Sequence, residues 1–147
     1  MPEIALTPVA EIAGLPAEIV DRGGLALAVR RFDRTADGGR IHIEDFAQVL
    51  DEPPAHKYGY ANYETLARVV SATGRDEDLD MFFRRLAFDV LVGNGDAHLK
   101  NWSLIYPDGR RSRLAPAYDI LSTVAYIPRD GLGLNLAGNK AFRPSGR

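Results

Sequence analysis

The chain has 147 residues, 46% of them hydrophobic and 26% charged, which is the profile of one globular core or one core shared by two small lobes. Eighteen Lys and Arg against twenty Asp and Glu give a net charge of -2, which argues against a dedicated nucleic-acid binder held by phosphate attraction. The absence of cysteine excludes disulfides, thiolate zinc sites and cysteine nucleophiles, and suits a reducing compartment. Met1-Pro2-Glu3 opens no basic, apolar leader, and no run approaches the roughly 18 apolar residues of a membrane span, so the expected setting is cytoplasmic, with no membrane partner.

In chain order, Thr7 before Pro8 reads as a helix N-cap, with Gly14 closing a helix of barely two turns. Ala17 to Asp21 and Leu25 to Phe32, separated by Arg22-Gly23-Gly24, read as a hairpin, and the apolar Leu25-Ala26-Leu27-Ala28-Val29 as a buried strand. Thr35 to Arg40 reads as a loop, Glu44 to Leu50 as a short helix, and Asp51 to Tyr60, with Pro53-Pro54, as connector. Asn62 to Thr73 and Asp76 to Val92 follow as helices. In the second, Leu79, Phe82, Phe83, Leu86, Val90 and Leu91 recur at three- and four-residue steps and predict one broad apolar face. Trp102 to Tyr106 and Arg113 to Ala115 flank Pro107-Asp108-Gly109 and predict a second hairpin. A short turn follows Asp119, then a glycine-rich tail whose last residues are expected to be loose.

The polar residues concentrate in Gly93-Asn94-Gly95-Asp96-Ala97-His98-Leu99-Lys100-Asn101 and again at Ala117-Tyr118-Asp119. Because a hairpin brings its ends together, Asn101 and Asp119 are expected within reach of one ion. Phosphoryl transfer needs such a set: a carboxylate to orient the attacking hydroxyl, oxygen ligands for Mg²⁺ and a cation near the transferred group. Protein kinases place their catalytic Asp and metal-binding Asn five residues apart ahead of a second metal-binding Asp, and Asp96 and Asn101 share that spacing. In this reading Asp96 is the base, Asn101 and Asp119 hold magnesium, and Lys100 stabilises charge on the phosphoryl group. His98 either lines the site or orients the loop. His42, His56 and His98 are too scattered for a zinc cluster, and Arg110, Arg111 and Arg113 read as a solvated face.

The stretches from Gly93 to Ser103 and from Leu114 to Thr123 resemble the signature of HipA-like kinases. Arg30-Arg31-Phe32-Asp33-Arg34 resembles that family's hinge, and Ile41-His42-Ile43-Glu44-Asp45-Phe46-Ala47-Gln48 its next element. The resemblance implies an α+β, kinase-like fold, with Mg-ATP used to phosphorylate serine or threonine of a protein substrate. It also implies an antitoxin partner with a helix-turn-helix DNA-binding domain. Carried over by motif position, Asp96 is catalytic with Lys100 and His98 beside it, Asn101 and Asp119 bind metal, the backbone of Arg30, Arg31 and Phe32 is the adenine-contacting hinge, Asp33 lies near the ribose, and Tyr118 lines the nucleotide site. Some family features are missing. Nothing before Leu25 supplies a Gly-rich phosphate loop or a lysine, the first lysine being Lys57, and Glu3 and Glu11 are poor counterparts of the family's lysine-pairing Glu. Arg30 and Ile43 replace the usual Glu and Gln. The expectation is therefore a partial HipA-like C-terminal domain, with residues 1–32 a remnant of the N-lobe and hinge and 33–147 the catalytic lobe. It is either a kinase completed by a separate N-lobe polypeptide or an inactive remnant serving as a protein-binding module in a toxin–antitoxin complex.

Overall fold

The computed structural model describes residues 17–142. The helix expected between Thr7 and Gly14, Glu3 and Glu11, and the last five residues lie outside them.

Strands β1 (Ala17–Asp21) and β2 (Leu25–Val29) pair antiparallel, with Ile19 opposite Leu27. Asp21 Oδ1 accepts from the backbone N–H groups of Gly23 and Gly24, and Gly23 takes a positive φ of 84°, which closes the turn the glycines predicted. The expected burial of β2 does not hold. Leu25 is 84% and Leu27 68% exposed, because among the described residues no second layer covers this two-stranded ribbon. The strand also ends at Val29, and Arg30 to Asp33 run on without regular structure.

Strand β3 (His42–Asp45) was not apparent from the sequence. It pairs antiparallel with β4 (Ser103–Tyr106), which pairs with β5 (Arg113–Leu114), in the order β3-β4-β5. Asp45 then caps helix α1 (Phe46–Val49): its carboxylate accepts from Gln48 N and the Gln48 side chain accepts from Asp45 N, both at 2.9 Å. Helix α2 (Tyr63–Ser71) starts at Asn62, whose side chain accepts from Thr65 N at 2.8 Å. Helix α3 (Asp76–Val92) begins with three carboxylates, Asp76, Glu77 and Asp78, at the positive end of its dipole. It ends at Gly93, whose φ of 69° only glycine adopts without strain.

One core joins these pieces. Phe46, Tyr63, Leu66, Val70, Phe82, Leu86, Leu99, Trp102, Leu104 and Leu114 pack together with Leu132 and Leu134. The glycine-rich tail therefore contributes Leu132 and Leu134 to the core, Phe142 packs against that core, and Tyr63 N donates to Asn135 O to fix the tail against α2. The buried face of α3 is narrower and more polar than predicted. Phe82 and Leu86 are buried, but Phe83 and Leu91 are 53% and 83% exposed, and Asp78, Arg85 and Asp89 are buried in their place. Asp78 accepts from Leu114 N and Arg85 donates to Ala115 O, so this polar stripe ties α3 to the strand leading to Asp119.

Candidate functional site

The loop after α3 is built from beneath. Asn94 donates its side-chain amide to Asp89 Oδ1 at 2.8 Å, donates its backbone N–H to Asp89 O at 2.8 Å, and accepts from Asp96 N at 3.2 Å. Asp89 is 2% exposed, and burial raises its carboxyl pKa to about 6 against the opposing pull of Asn94 and Arg85. Glycine is required at positions 95 and 133, where a Cβ would lie 2.6 Å from Gly131 O and 2.8 Å from Ala97 O respectively. The tail thereby packs directly on the loop, leaving the half-exposed Asp96 carboxylate at the surface.

Asn101 and Asp119 come together as expected. Asn101 Nδ2 donates to Asp119 Oδ2 at 2.9 Å, although the residues are 18 apart in sequence. The Asn101 oxygen and the remaining carboxylate oxygen make a hard, oxygen-only donor pair, the chemistry that suits Mg²⁺. Asp119 holds a left-handed φ of 56°, a strained backbone for a non-glycine residue and a common sign of a functional position. Among the described residues no cluster of three or more His, Asp or Glu could hold a metal by itself, so an ion here would need further ligands from phosphate or water.

The hinge residues gather around a separate cavity of about 320 Å³. Arg30, Arg31, Phe32, Asp33, Lys100 and Tyr118 all line it, together with Ser103. Tyr118 closes one wall, its ring 5.7 Å from Phe32 and its hydroxyl donating to Lys100 O at 2.8 Å. Asp33 is less free than a ribose contact would need. Arg31 Nε and Nη2 hold its two oxygens at 2.8 and 2.5 Å, and Arg34 adds a third bond at 2.6 Å. These guanidinium groups, Arg31 foremost, lower the Asp33 pKa to about 2. Lys100 faces this cavity, whereas Asp96 lines a different one with Tyr58, Leu121, Thr123 and Asp130, so the two residues are not brought into one pocket.

His98 lies 3.8 Å from Asp96 and is nearly buried. Lys57 Nζ donates to its Nε2 at 2.8 Å. A lysine can only donate, so Nε2 is the unprotonated nitrogen and the ring is neutral. Burial and the Lys57 charge lower its pKa, while Asp96 and Asp119 pull weakly the other way. This supports the loop-orienting role over direct catalysis. Lys57 and Tyr58 fall in the stretch that reads as connector, and neither Asn94 nor Asp89 stands out as a site residue in the sequence. Asp89 carried one usable signal, a charge at an otherwise apolar helical position.

The model of the HipA-like C-terminal domain family matches residues 3–145. The chain belongs to this family. Over 141 residues, 95% of the chain, it is 49% identical to a Sinorhizobium fredii protein named "Putative kinase Y4dM". A second S. fredii protein of the same designation, Y4mE, is 43% identical over 68% of the chain. A Haemophilus influenzae relative named "Putative kinase" is 32% identical over 69% of the chain. The chain spans 34%, 26% and 32% of these relatives, between a quarter and about a third of their length. The structure of Shewanella oneidensis HipA, solved with HipB and operator DNA, matches with a TM-score of 0.78 at 24% identity, covering 92% of this chain and 37% of that one. The fold is therefore the HipA fold, and the α+β expectation holds.

Proposed function

We propose that this chain forms the hinge and catalytic lobe of a kinase that transfers the γ-phosphoryl group of ATP to a serine or threonine of a protein substrate. The observation carrying the proposal is the convergence of Asn101 and Asp119 on one oxygen-donor pair, in a loop that also presents Asp96. In this reading the cavity at Arg30 to Phe32 takes the adenine, with Phe32 and Tyr118 as apolar walls, and Lys100 reaches toward the phosphates from its rim. Magnesium held by Asn101 and Asp119 would supply charge neutralisation on the phosphates. Asp96 orients the acceptor hydroxyl and takes its proton on a carboxylate oxygen. Asp33 acts by locking the hinge through Arg31 and Arg34.

The relatives' kinase names and the family membership support this reading. Those relatives are about three times as long, so in this reading the phosphate-covering loop and its lysine come from protein beyond these 147 residues, either more of a longer chain or a separate N-lobe polypeptide. The HipB and DNA in the Shewanella structure favour an antitoxin with a DNA-binding domain as a further partner, contacting DNA on this chain's behalf. Among the described residues no helix is long and apolar enough to cross a membrane, which is compatible with a cytoplasmic setting.

The test is ligand-dependent stability followed by transfer. Mg-ATP should raise the melting temperature of the wild type, and Asp119→Asn should abolish the magnesium-dependent part of that rise. Asp96→Asn should keep the rise and lose phosphate transfer to a protein acceptor. A wild type that stays indifferent to Mg-ATP even when joined to the protein that supplies the phosphate-covering loop would reject the kinase reading and leave the protein-binding module.

A further inference from the structure

Lys57 and Tyr58 lie in an irregular segment between α1 and α2, far from the Asp96 loop in sequence. Nevertheless four contacts join the two. Lys57 O accepts from Leu99 N at 3.2 Å, and Lys57 Nζ donates to His98 Nε2 at 2.8 Å. The Tyr58 hydroxyl donates to Asp96 Oδ1, and the Tyr58 ring meets the His98 ring edge-on at 5.0 Å. On the other side Lys140 Nζ donates to Tyr58 O at 3.2 Å and to Gly133 O at 3.0 Å, pinning the segment to the tail. A carboxylate on a half-exposed loop has at least two free torsions, and a base that must receive a proton from one direction works only in a narrow range of them. Asn94 fixes the Asp96 backbone but leaves the side chain free to rotate. Tyr58 removes that freedom: it takes up Oδ1 and leaves Oδ2 for an incoming hydroxyl.

We propose that Tyr58 is a positioning residue for Asp96, with the His98 ring and the Lys57 side chain packed against the tyrosine to hold it there. The proposal rests on the kinase reading for its catalytic meaning. It does not rest on it for the contact. Tyr58 is 40% exposed and outside the core, so removing its hydroxyl should leave the fold intact. Desolvation and the Asp96 bond push the Tyr58 pKa up to about 12, as expected for a phenol that donates to a carboxylate.

Two measurements test it. With the protein that supplies the phosphate-covering loop present, Tyr58→Phe should lower kcat for phosphate transfer about 10- to 100-fold, the usual effect of losing an orienting partner, with KM for Mg-ATP unchanged. Tyr60→Phe, at an exposed tyrosine stacked on His56, should change neither. A Tyr58→Phe enzyme with wild-type kcat overturns the proposal, and so does a raised KM with kcat intact. Independently of activity, the chain labelled with a heavy carbon isotope at tyrosine Cζ should show a Tyr58 resonance, assigned by its loss in Tyr58→Phe, that moves in Asp96→Ala. A resonance that stays in place shows that the pair does not form and overturns the proposal even in an inactive protein. If the wild type transfers no phosphate while the resonance moves, the kinase reading fails and the contact stands.

Discussion

Asp89→Asn should stabilise the protein at neutral pH and do so less in acid. The Asp89 carboxyl is buried under the Asp96 loop, and its pKa rises from 3.8 to about 6 on folding. A carboxyl with a raised pKa favours folding while protonated, and that contribution is lost as pH climbs from its unfolded value through its folded one. The shift is about 2 units at roughly 1.4 kcal/mol each, so the ionised carboxylate costs about 3 kcal/mol above pH ~7. Asparagine is uncharged at every pH and keeps an oxygen to accept from Asn94 Nδ2. The variant should therefore gain about 3 kcal/mol at about pH 7.5 but only about 1 kcal/mol at about pH 4.5, where the native carboxyl is protonated. Urea denaturation of both proteins at the two pH values reads this as a gap between midpoints that widens with pH. A gap independent of pH, or a variant less stable than wild type near neutrality, would refute the reasoning, because Asp89 would then be an ordinary, well-compensated anion. Retention of so costly a group fits its place two hydrogen bonds below Asp96.

Two further substitutions test the packing. Trp102→Ala removes a buried indole that packs on Phe82 at 4.9 Å and lies beneath the Arg85 guanidinium at 5.3 Å, and it should cost about 3–5 kcal/mol in urea unfolding monitored by circular dichroism. A loss below about 1 kcal/mol would mean that this part of the core collapses to fill the space. Gly93→Ala places a Cβ in the left-handed region at φ 69° and within 2.8 Å of Val124 Cγ1, at a residue whose carbonyl accepts from Thr123 N and Val124 N. It should lower stability by about 2 kcal/mol or more, and an alanine variant as stable as wild type would contradict the assigned helix end.

Most local backbone choices were legible because their causes are local. Helix α3 occupies Asp76–Val92 as predicted, since an acidic first turn and a following glycine act within a few residues of the ends they define. The β4–β5 hairpin follows from Pro107-Asp108-Gly109 for the same reason, with Asp108 Oδ1 accepting from Arg110 N and Arg111 N around the turn. The pairing of Asn101 with Asp119 was also legible, as a hairpin fixes the distance between its own ends.

What the sequence could not decide is which side of each element is covered. The apolar strand β2 reads as buried, yet stays exposed because burial needs a partner layer and hydrophobicity alone does not provide one. The face of α3 shows the same limit: Phe83 and Leu91 satisfy the helical period, but Arg85 and Asp89 have buried hydrogen-bond partners and take the inner positions. Strand β3 exists because β4 lies beside it, about 60 positions later in the chain. Lys57 and Tyr58 reach Asp96 and His98 across some 40 residues with no periodic signal at either end. Composition and spacing thus set the elements and the residues available for chemistry. Only the tertiary packing of distant segments decided which carboxylates are buried, held or free.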